Sequence, residues 1–350
     1  MQKTTWRQKN IGDFLDQSFP LLRQGVAADE LSKLEFFKDQ FLDSFEVDSL
    51  LFECPLNEKR KWVDLSFKID PFSENFSQSI QHLQDGISKE ESWKRCLCFL
   101  SKTKFQGLYF IELDIGSGKE NPLLPNLFVC TKEFQGEKFL PFATHLSEEL
   151  QGHAPSQLCM DNLQKYAEVC SAMQDQIFAC GLMLARPNNG IRVHAGTNLA
   201  DASTSLEERL KTMGYVSSID ALMKLLRKLP SHALKSVGYA LDIADHVGPK
   251  VGIEIFPPEK NSKQDVWLPL LEILMQEGVA EQESVNAYMK WKGGLLQPQP
   301  SDHDFLFIRR INHIKLVSQP GQKIEAKIYL NHVHGQVAHP DAADFPFEYT

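Results

Sequence analysis

Five cations stand in segments that read as β-strands and lie far apart in the chain: Arg192 and His194 in 191–195, Lys250 opening 250–256, Lys315 in 305–317 and Lys327 in 323–331. If they share one interior, they form a polyanion site. A charge-assisted hydrogen bond to a phosphate oxygen contributes roughly 1.5–3 kcal/mol. Several together can hold a diphosphate and stabilise it as a leaving group. Lys250 and Lys315 equally suit salt bridges to Glu254 or Glu112. His194 equally suits an ordinary hydrogen-bonded interior histidine. Trp62, Phe110 and Tyr329 are interleaved with these charges. Such rings can stack on an aromatic ligand or cover a carbocation, and Trp62 and Phe110 can instead serve as core.

The elements that must position these residues follow from periodicity. Strand pairs are expected at 50–55 and 62–69, 107–115 and 126–132, 177–186 and 191–195, 236–244 and 250–256, and 305–317 and 323–331. Helical stretches at about 88–100, 145–174 (interrupted near Gly152 and Pro155), 203–213 with 218–229, and 265–276 with 281–291 separate the pairs. Pro187-Asn188-Asn189-Gly190 supplies a hairpin turn, because Asn and Gly readily take positive φ. A hairpin in each unit makes neighbouring strands antiparallel, where one strand per helix would predict a parallel sheet.

The strand faces alternate. Val63, Leu65, Phe67 and Ile69 oppose Trp62, Asp64, Ser66 and Lys68; Tyr109, Ile111, Leu113 and Ile115 oppose Leu108, Phe110, Glu112 and Asp114. Ile191, Val193 and Ala195 oppose Arg192 and His194; Val251, Ile253 and Ile255 oppose Lys250, Gly252 and Glu254. Ile324, Ala326, Ile328 and Leu330 oppose Glu325, Lys327, Tyr329 and Asn331. A strict period of two groups Phe307, Arg309, Ile311, His313 and Lys315 against Arg310, Asn312, Ile314 and Leu316. One face of each strand meets apolar partners and the other meets water or polar groups. An open sheet with a solvated face is one solution. The recurrence of the unit, its interleaved aromatics and the strand pairs feeding helices favour a barrel whose polar faces line the lumen.

Composition narrows the function classes. The chain has 350 residues, 42% hydrophobic and 24% charged, which is globular rather than disordered. A formal charge of −9 gives no general reason to bind nucleic acid or an anionic membrane. No apolar run approaches the roughly 18 residues of a membrane span, and the polar N-terminus is unlike a secretory signal. Seven scattered cysteines without a C-x-x-C pair fit reduced, mostly buried thiols of a cytoplasmic protein. There is no G-x-S-x-G, H-E-x-x-H, P-loop or G-x-G-x-x-G pattern, and Gly116-Ser117-Gly118-Lys119 lacks P-loop spacing. Aspartate-rich D-D-x-x-D clusters are also missing, and His332, His334 and His339 read as surface residues of a tail.

The repeated helix and strand-pair units over about 50–331 resemble the ABBA, or prenyltransferase-barrel, architecture of soluble aromatic prenyltransferases, and five such units are found in those of the dimethylallyltryptophan synthase type. Asp64-Leu65-Ser66 is similar to that family's E-x-S-like stretch, whose carboxylate accepts a proton from the aromatic acceptor. Lys327-Ile328-Tyr329 matches its K-x-Y element. Arg192-Val193-His194-Ala195-Gly196 matches R-x-K-x-Y with His for Lys and Gly for Tyr, and Lys250-Val251-Gly252 keeps the cation without the aromatic.

The resemblance implies an α/β fold: a ten-stranded antiparallel barrel built from five helix–strand-pair repeats, helices outside. The expected layout is one domain over 1–350, with an N-terminal helical region (1–49), barrel repeats (50–331) and an irregular tail (332–350). It implies metal-independent transfer of a prenyl group from an allylic diphosphate to an indole-like or phenolic acceptor, free or within a peptide. No cofactor is expected beyond the prenyl diphosphate co-substrate. Arg192, His194, Lys250, Lys315, Lys327 and Tyr329 would take the diphosphate, and Trp62, Phe110 and Tyr329 would flank the acceptor and shield the cation. Asp64 would be the base, with Glu112 and Asp114 in reserve; an ion pair between Asp64 and Lys68 is the bland alternative. A non-catalytic barrel for a hydrophobic small molecule or peptide, or a cyclising enzyme on the same scaffold, are the competing readings.

Overall fold

The computed structural model describes residues 9–39, 46–47, 49–57, 61–72, 90–103, 105–115, 124–134, 136–185, 190–198, 202–215, 219–230, 236–256, 267–297 and 303–338, with Phe76 and Leu234. Gly116–Lys119, Pro187–Asn189 and His339 lie outside these residues.

Strands β1 (Lys9–Asn10) and β2 (Glu46–Val47) form a small separate ladder. Ten further strands close into an antiparallel barrel: β3 (Ser49–Pro55), β4 (Asp64–Ile69), β5 (Leu108–Leu113), β6 (Pro125–Cys130), β7 (Gln176–Leu182), β8 (Ile191–Asn198), β9 (Ser236–Ile243), β10 (Val247–Ile255), β12 (His303–Ser318) and β13 (Glu325–Ala338). Between β10 and β12 in the chain, β11 (Gly293–Gln297) pairs with the first half of β12. The second half of β12 pairs with β10, Ile314 to Ser318 against Ile255 to Val251, and this ladder shuts the ring. The other closing contact joins β13 to β3, with Tyr329 opposite Glu53.

Helices α1 (Ile11–Leu22) and α2 (Ala28–Phe37) precede the barrel strands, and α3 (Glu91–Lys102), α4 (Phe139–Gln151), α5 (Gln157–Ala172), α6 (Ala202–Thr212), α7 (Ile219–Leu226), α8 (Leu268–Gln276) and α9 (Gln282–Met289) lie between the strand pairs. Gly152 takes φ 83° where α4 ends, a left-handed cap that glycine adopts without the Cβ penalty. Ser156 then caps α5 by accepting from the Cys159 N–H. Outward strand residues such as Phe52, Leu65, Ile111, Val193, Ile253 and Ile328 join helix residues such as Leu97, Leu146, Leu163, Leu222 and Leu270 in one apolar layer. That layer is why each strand needs only one apolar face. Among the described residues, no helix is long and apolar enough to cross a membrane.

Three expectations change. β13 continues to Ala338, so 332–338 is strand rather than irregular tail. Its His332 is fully buried among the Phe14, Phe307 and Trp291 rings, not a surface residue. The period of two breaks in β12, where the ladder to β13 shifts between Ile311 and His313. Phe307 and Ile311 face the helix layer, and beyond the bulge Ile314 and Leu316 do so. His313 and Lys315 therefore share the lumen face, opposite Tyr329 and Lys327, instead of the face of Phe307 and Ile311. One unpaired residue, Asn312, absorbs the change of phase. β7 carries a similar shift between Ile177 and Ala179.

Candidate active site

The strand ends joined by hairpin turns form one mouth of the barrel, and the cations gather there. Arg192, Lys250, Lys315, Lys327 and Tyr329 line one cleft together with Glu53, Asp242, Glu325, Ala240, Gly252 and Val317. It holds about 440 Å³ of empty space, including the part open to solvent. Each side chain is placed by the lumen-facing half of its strand's alternation. Gly252 gives Lys315 its path: a Cβ there would lie 2.3 Å from Lys315 Cε.

Every cation whose contacts are resolved is engaged by a carboxylate. Arg192 forks onto Asp242, Nε to Oδ1 at 2.6 Å and a terminal nitrogen to Oδ2 at 2.9 Å. Lys315 Nζ donates to Glu254 at 3.0 Å, the salt bridge that sequence had offered as an alternative. Lys327 Nζ donates to Glu53 at 2.6 Å, lies 3.3 Å from Glu325, and sits 4.8 Å from the centre of the Trp62 ring. The Tyr329 hydroxyl donates to the second Glu53 oxygen.

Burial opposes the charge on Glu53, but Lys327, Lys315 and the hydrogen bonds from Lys327 and Tyr329 outweigh it and hold the carboxyl at about 2. Burial likewise opposes the charge on Lys327 and Arg192, and the carboxylates beside them win, raising both above their ordinary values. The Tyr329 hydroxyl is pushed well up, by burial first and by Glu53 next, so it remains a donor.

The remaining predicted residues lie nearby but do not line the cleft. Asp64 is buried directly opposite Glu53 on the paired strand, and its charge helps keep Lys327 protonated. Glu112 faces the lumen opposite Ser66 and adds to the field on Arg192 and Tyr329. Phe110 is half-buried, in register with Lys68 and Phe128. Trp62 precedes β4 rather than belonging to it. His194 sits one rung deeper, in register with Ala240. There its Nδ1 lies 3.1 Å and 3.2 Å from the two Glu254 oxygens.

Three site residues escaped the sequence reading. Glu53 lies in the apolar run Leu50-Leu51-Phe52-Glu53-Cys54, where a lone acid was the available signal. Asp242 could be found only by registering β9 against β8, which sets it opposite Arg192. His313 stacks on Tyr329 at 3.9 Å between ring centres, on a face that only the bulge reveals.

A ten-stranded antiparallel barrel with helices outside and a cation-lined mouth is the ABBA, or prenyltransferase-barrel, fold. Solved structures share it over nearly the whole chain. 5-Dimethylallyltryptophan synthase from Streptomyces coelicolor superposes with TM-score 0.57 at 10% identity, covering 93% of this chain and 98% of that one. The prenyltransferase PriB, in a binary complex with product diphosphate, gives 0.58 at 14% identity over 92% and 96%. AnaPT from Neosartorya fischeri gives 0.52 at 10% identity over 91% of each chain. No protein-family model and no curated protein matches the sequence.

Proposed function

We propose that the chain is a metal-independent aromatic prenyltransferase, moving a prenyl group from an allylic diphosphate to an indole-like or phenolic ring, free or in a peptide. The observation that carries this reading is the convergence of Arg192, Lys250, Lys315 and Lys327 from four strands onto one cleft with Tyr329. The similar fold of PriB, solved with product diphosphate and also with L-tryptophan and dimethylallyl thiolodiphosphate, supports it.

The charge balance defines how such a donor would enter. Glu53, Asp242 and Glu325 already face the four cations in the cleft, with Glu254 behind Lys315. A diphosphate would exchange carboxylate oxygens for phosphate oxygens rather than fill an empty cationic hole. Lys327 and Tyr329 leaving Glu53 would free that carboxylate beside Asp64, giving two acceptors for the ring N–H or O–H. As the C–O bond breaks, diphosphate departs with the electron pair onto Arg192, Lys250, Lys315 and Lys327. Trp62 and Tyr329 cover the cation, the ring attacks it, and loss of a ring proton restores aromaticity.

The test is diphosphate release and product mass with C5, C10 and C15 prenyl diphosphates against tryptophan, tyrosine and simple indoles, with and without EDTA. The expected result is an EDTA-resistant prenyl mass increment that Lys327→Ala reduces by about 10- to 100-fold, the loss of one strong phosphate contact, and that Asp64→Asn also reduces. Tight ligand binding without diphosphate release would identify a binding barrel instead.

A further inference from the structure

One rung below the cation mouth, the lumen changes character. His194 is held edge-on to Phe128 at 5.7 Å and Phe178 at 5.8 Å; Phe178 meets Phe256 at 6.5 Å, and Phe256 meets His313 at 5.0 Å. Gly181 admits the Phe128 ring, since a Cβ there would fall 2.3 Å from its Cδ1. Within this aromatic cluster the Nε2 atoms of His194 and His313 are buried and, among the described residues, have no hydrogen-bond partner. A buried polar atom without a partner costs about 1–3 kcal/mol, so a polar ligand atom reaching either imidazole nitrogen would recover that cost.

His194 is the one equipped to take a proton. Its Nδ1 faces Glu254, which burial disfavours as an anion but which His194 and Lys315 hold well below the usual carboxylate range. An ionised carboxylate at Nδ1 fixes the Nδ1–H tautomer, and the lone pair on Nε2 is left for a ligand. Burial lowers His194 below the ordinary histidine value, against the pull of Glu254, so the imidazole is neutral near pH 7. The charged and titratable groups facing it are Glu254 from β10, Lys315 and His313 from β12, and Arg192, paired with Asp242, from β8. Cys130 on β6 faces Glu254, and its thiol is pushed up to about 12 by burial.

We infer that His194, oriented by Glu254, is the group that accepts the ring proton in transfer: the acceptor lies in the Phe128–Phe178–Phe256 chamber and His194 Nε2 receives its proton. This rests on the reading of the barrel as an aromatic prenyltransferase, and it moves His194 from diphosphate holder to catalytic base. Bond by bond, the C1–oxygen bond breaks with its electron pair leaving on diphosphate, and the ring carbon then joins C1 of the prenyl cation. The ring C–H proton then passes to Nε2, its electron pair returning to the ring. The resulting imidazolium is neutralised by Glu254, which is a positioning residue.

The deciding experiment uses the full chain with ¹⁵N-labelled histidine. The His194 signals, assigned by their loss in His194→Asn, are expected to show a protonated Nδ1 and a bare Nε2 near neutral pH. Adding indole or 4-methylphenol in the presence of inorganic diphosphate should shift the Nε2 resonance. His194→Asn should weaken binding of these rings at least about tenfold, which is about 1.4 kcal/mol, while inorganic diphosphate binds within about threefold of the parent. In turnover, His194→Asn should lower kcat by about 10²–10⁴-fold, the usual weight of a general base. Glu254→Gln should move the acid limb of the kcat profile to lower pH, since it removes the charge that raises His194 and leaves Lys315 to lower it further. An Nε2 signal that neither ring moves, or a His194→Asn chain that loses diphosphate and keeps the rings, would overturn the assignment. Because ring binding needs no turnover, an absence of prenyl product from the parent would count against transfer alone.

Discussion

Lys327 bonds to Glu53, neighbours Glu325 and covers Trp62 within a single side chain's reach. Its charge is spoken for until a stronger anion arrives, and Lys315 is in the same position through Glu254. Gly252→Ala isolates this effect. The new methyl would collide with Lys315 Cε, the far end of a flexible chain that can move aside. Folding stability should therefore change by no more than about 1–2 kcal/mol, in the range of a modest overpacking. Inorganic diphosphate affinity, measured calorimetrically, should fall by about tenfold through loss of one charged contact. The sequence made the cations legible because they alternate with Val, Ile and Ala in clean strands. It hid their counter-ions, because Glu53 sits in a strand apolar on both faces and Asp242 acts only across a register.

At the scale of elements, periodicity located all five strand pairs, and the structure places their ends within a few residues except for β13, which runs on to Ala338; bulges and long-range pairing were beyond its reach. Asn312 shows why: its neighbours on both sides obey a period of two, but out of phase. Deleting Asn312 should bring β12 into continuous alternation with Lys315 still facing the lumen, so unfolding free energy in urea should stay within about 1 kcal/mol of the parent. A loss of cooperative unfolding would show that the bulge itself is required for closure.

Helix α6 is tied to the barrel differently. Arg209 reaches Asp175 with Nε at 2.5 Å and a second nitrogen at 3.0 Å, and Tyr239 donates to the same carboxylate at 2.8 Å. Both charged side chains are almost wholly buried. Arg209→Met strands Asp175 and should cost about 3–5 kcal/mol in urea denaturation, with Asp175→Asn in the same chain recovering part of it.

For the molecule as a whole, buried histidines set the acid side of stability. Burial, with help from Arg309 and His334, pushes His332 down to about 3, and burial pushes His313 down to about 4. Ser18 spends its hydroxyl proton on the Phe14 carbonyl, so it accepts from His332 Nδ1–H at 3.0 Å, and the ring stays neutral. Unfolded histidine takes up a proton near pH 6.5, so between about pH 6.5 and 4 the unfolded chain binds more protons and stability falls with pH. Each histidine contributes up to about 1.4 kcal/mol per pH unit in that window. Below pH 4.5 Glu53 adds to the loss as pH falls towards about 2. Urea denaturation of His332→Phe should show a slope flatter by about one proton between pH 4 and 6; an unchanged slope would place the proton uptake elsewhere.

The pairing of β13 with β3 has a consequence in time. Neighbours from β3 through β10 follow one another along the chain, and each can zip onto the last as it is made. The first barrel strand cannot find its second partner until the final one is synthesised, because Glu53 bonds to Lys327 across 274 residues. During translation β3 presents an open edge, which is the kind of surface that recruits strands from other chains. The same event that covers that edge brings Lys327 and Tyr329 to Glu53, so the cation mouth and the closed ring come into being together.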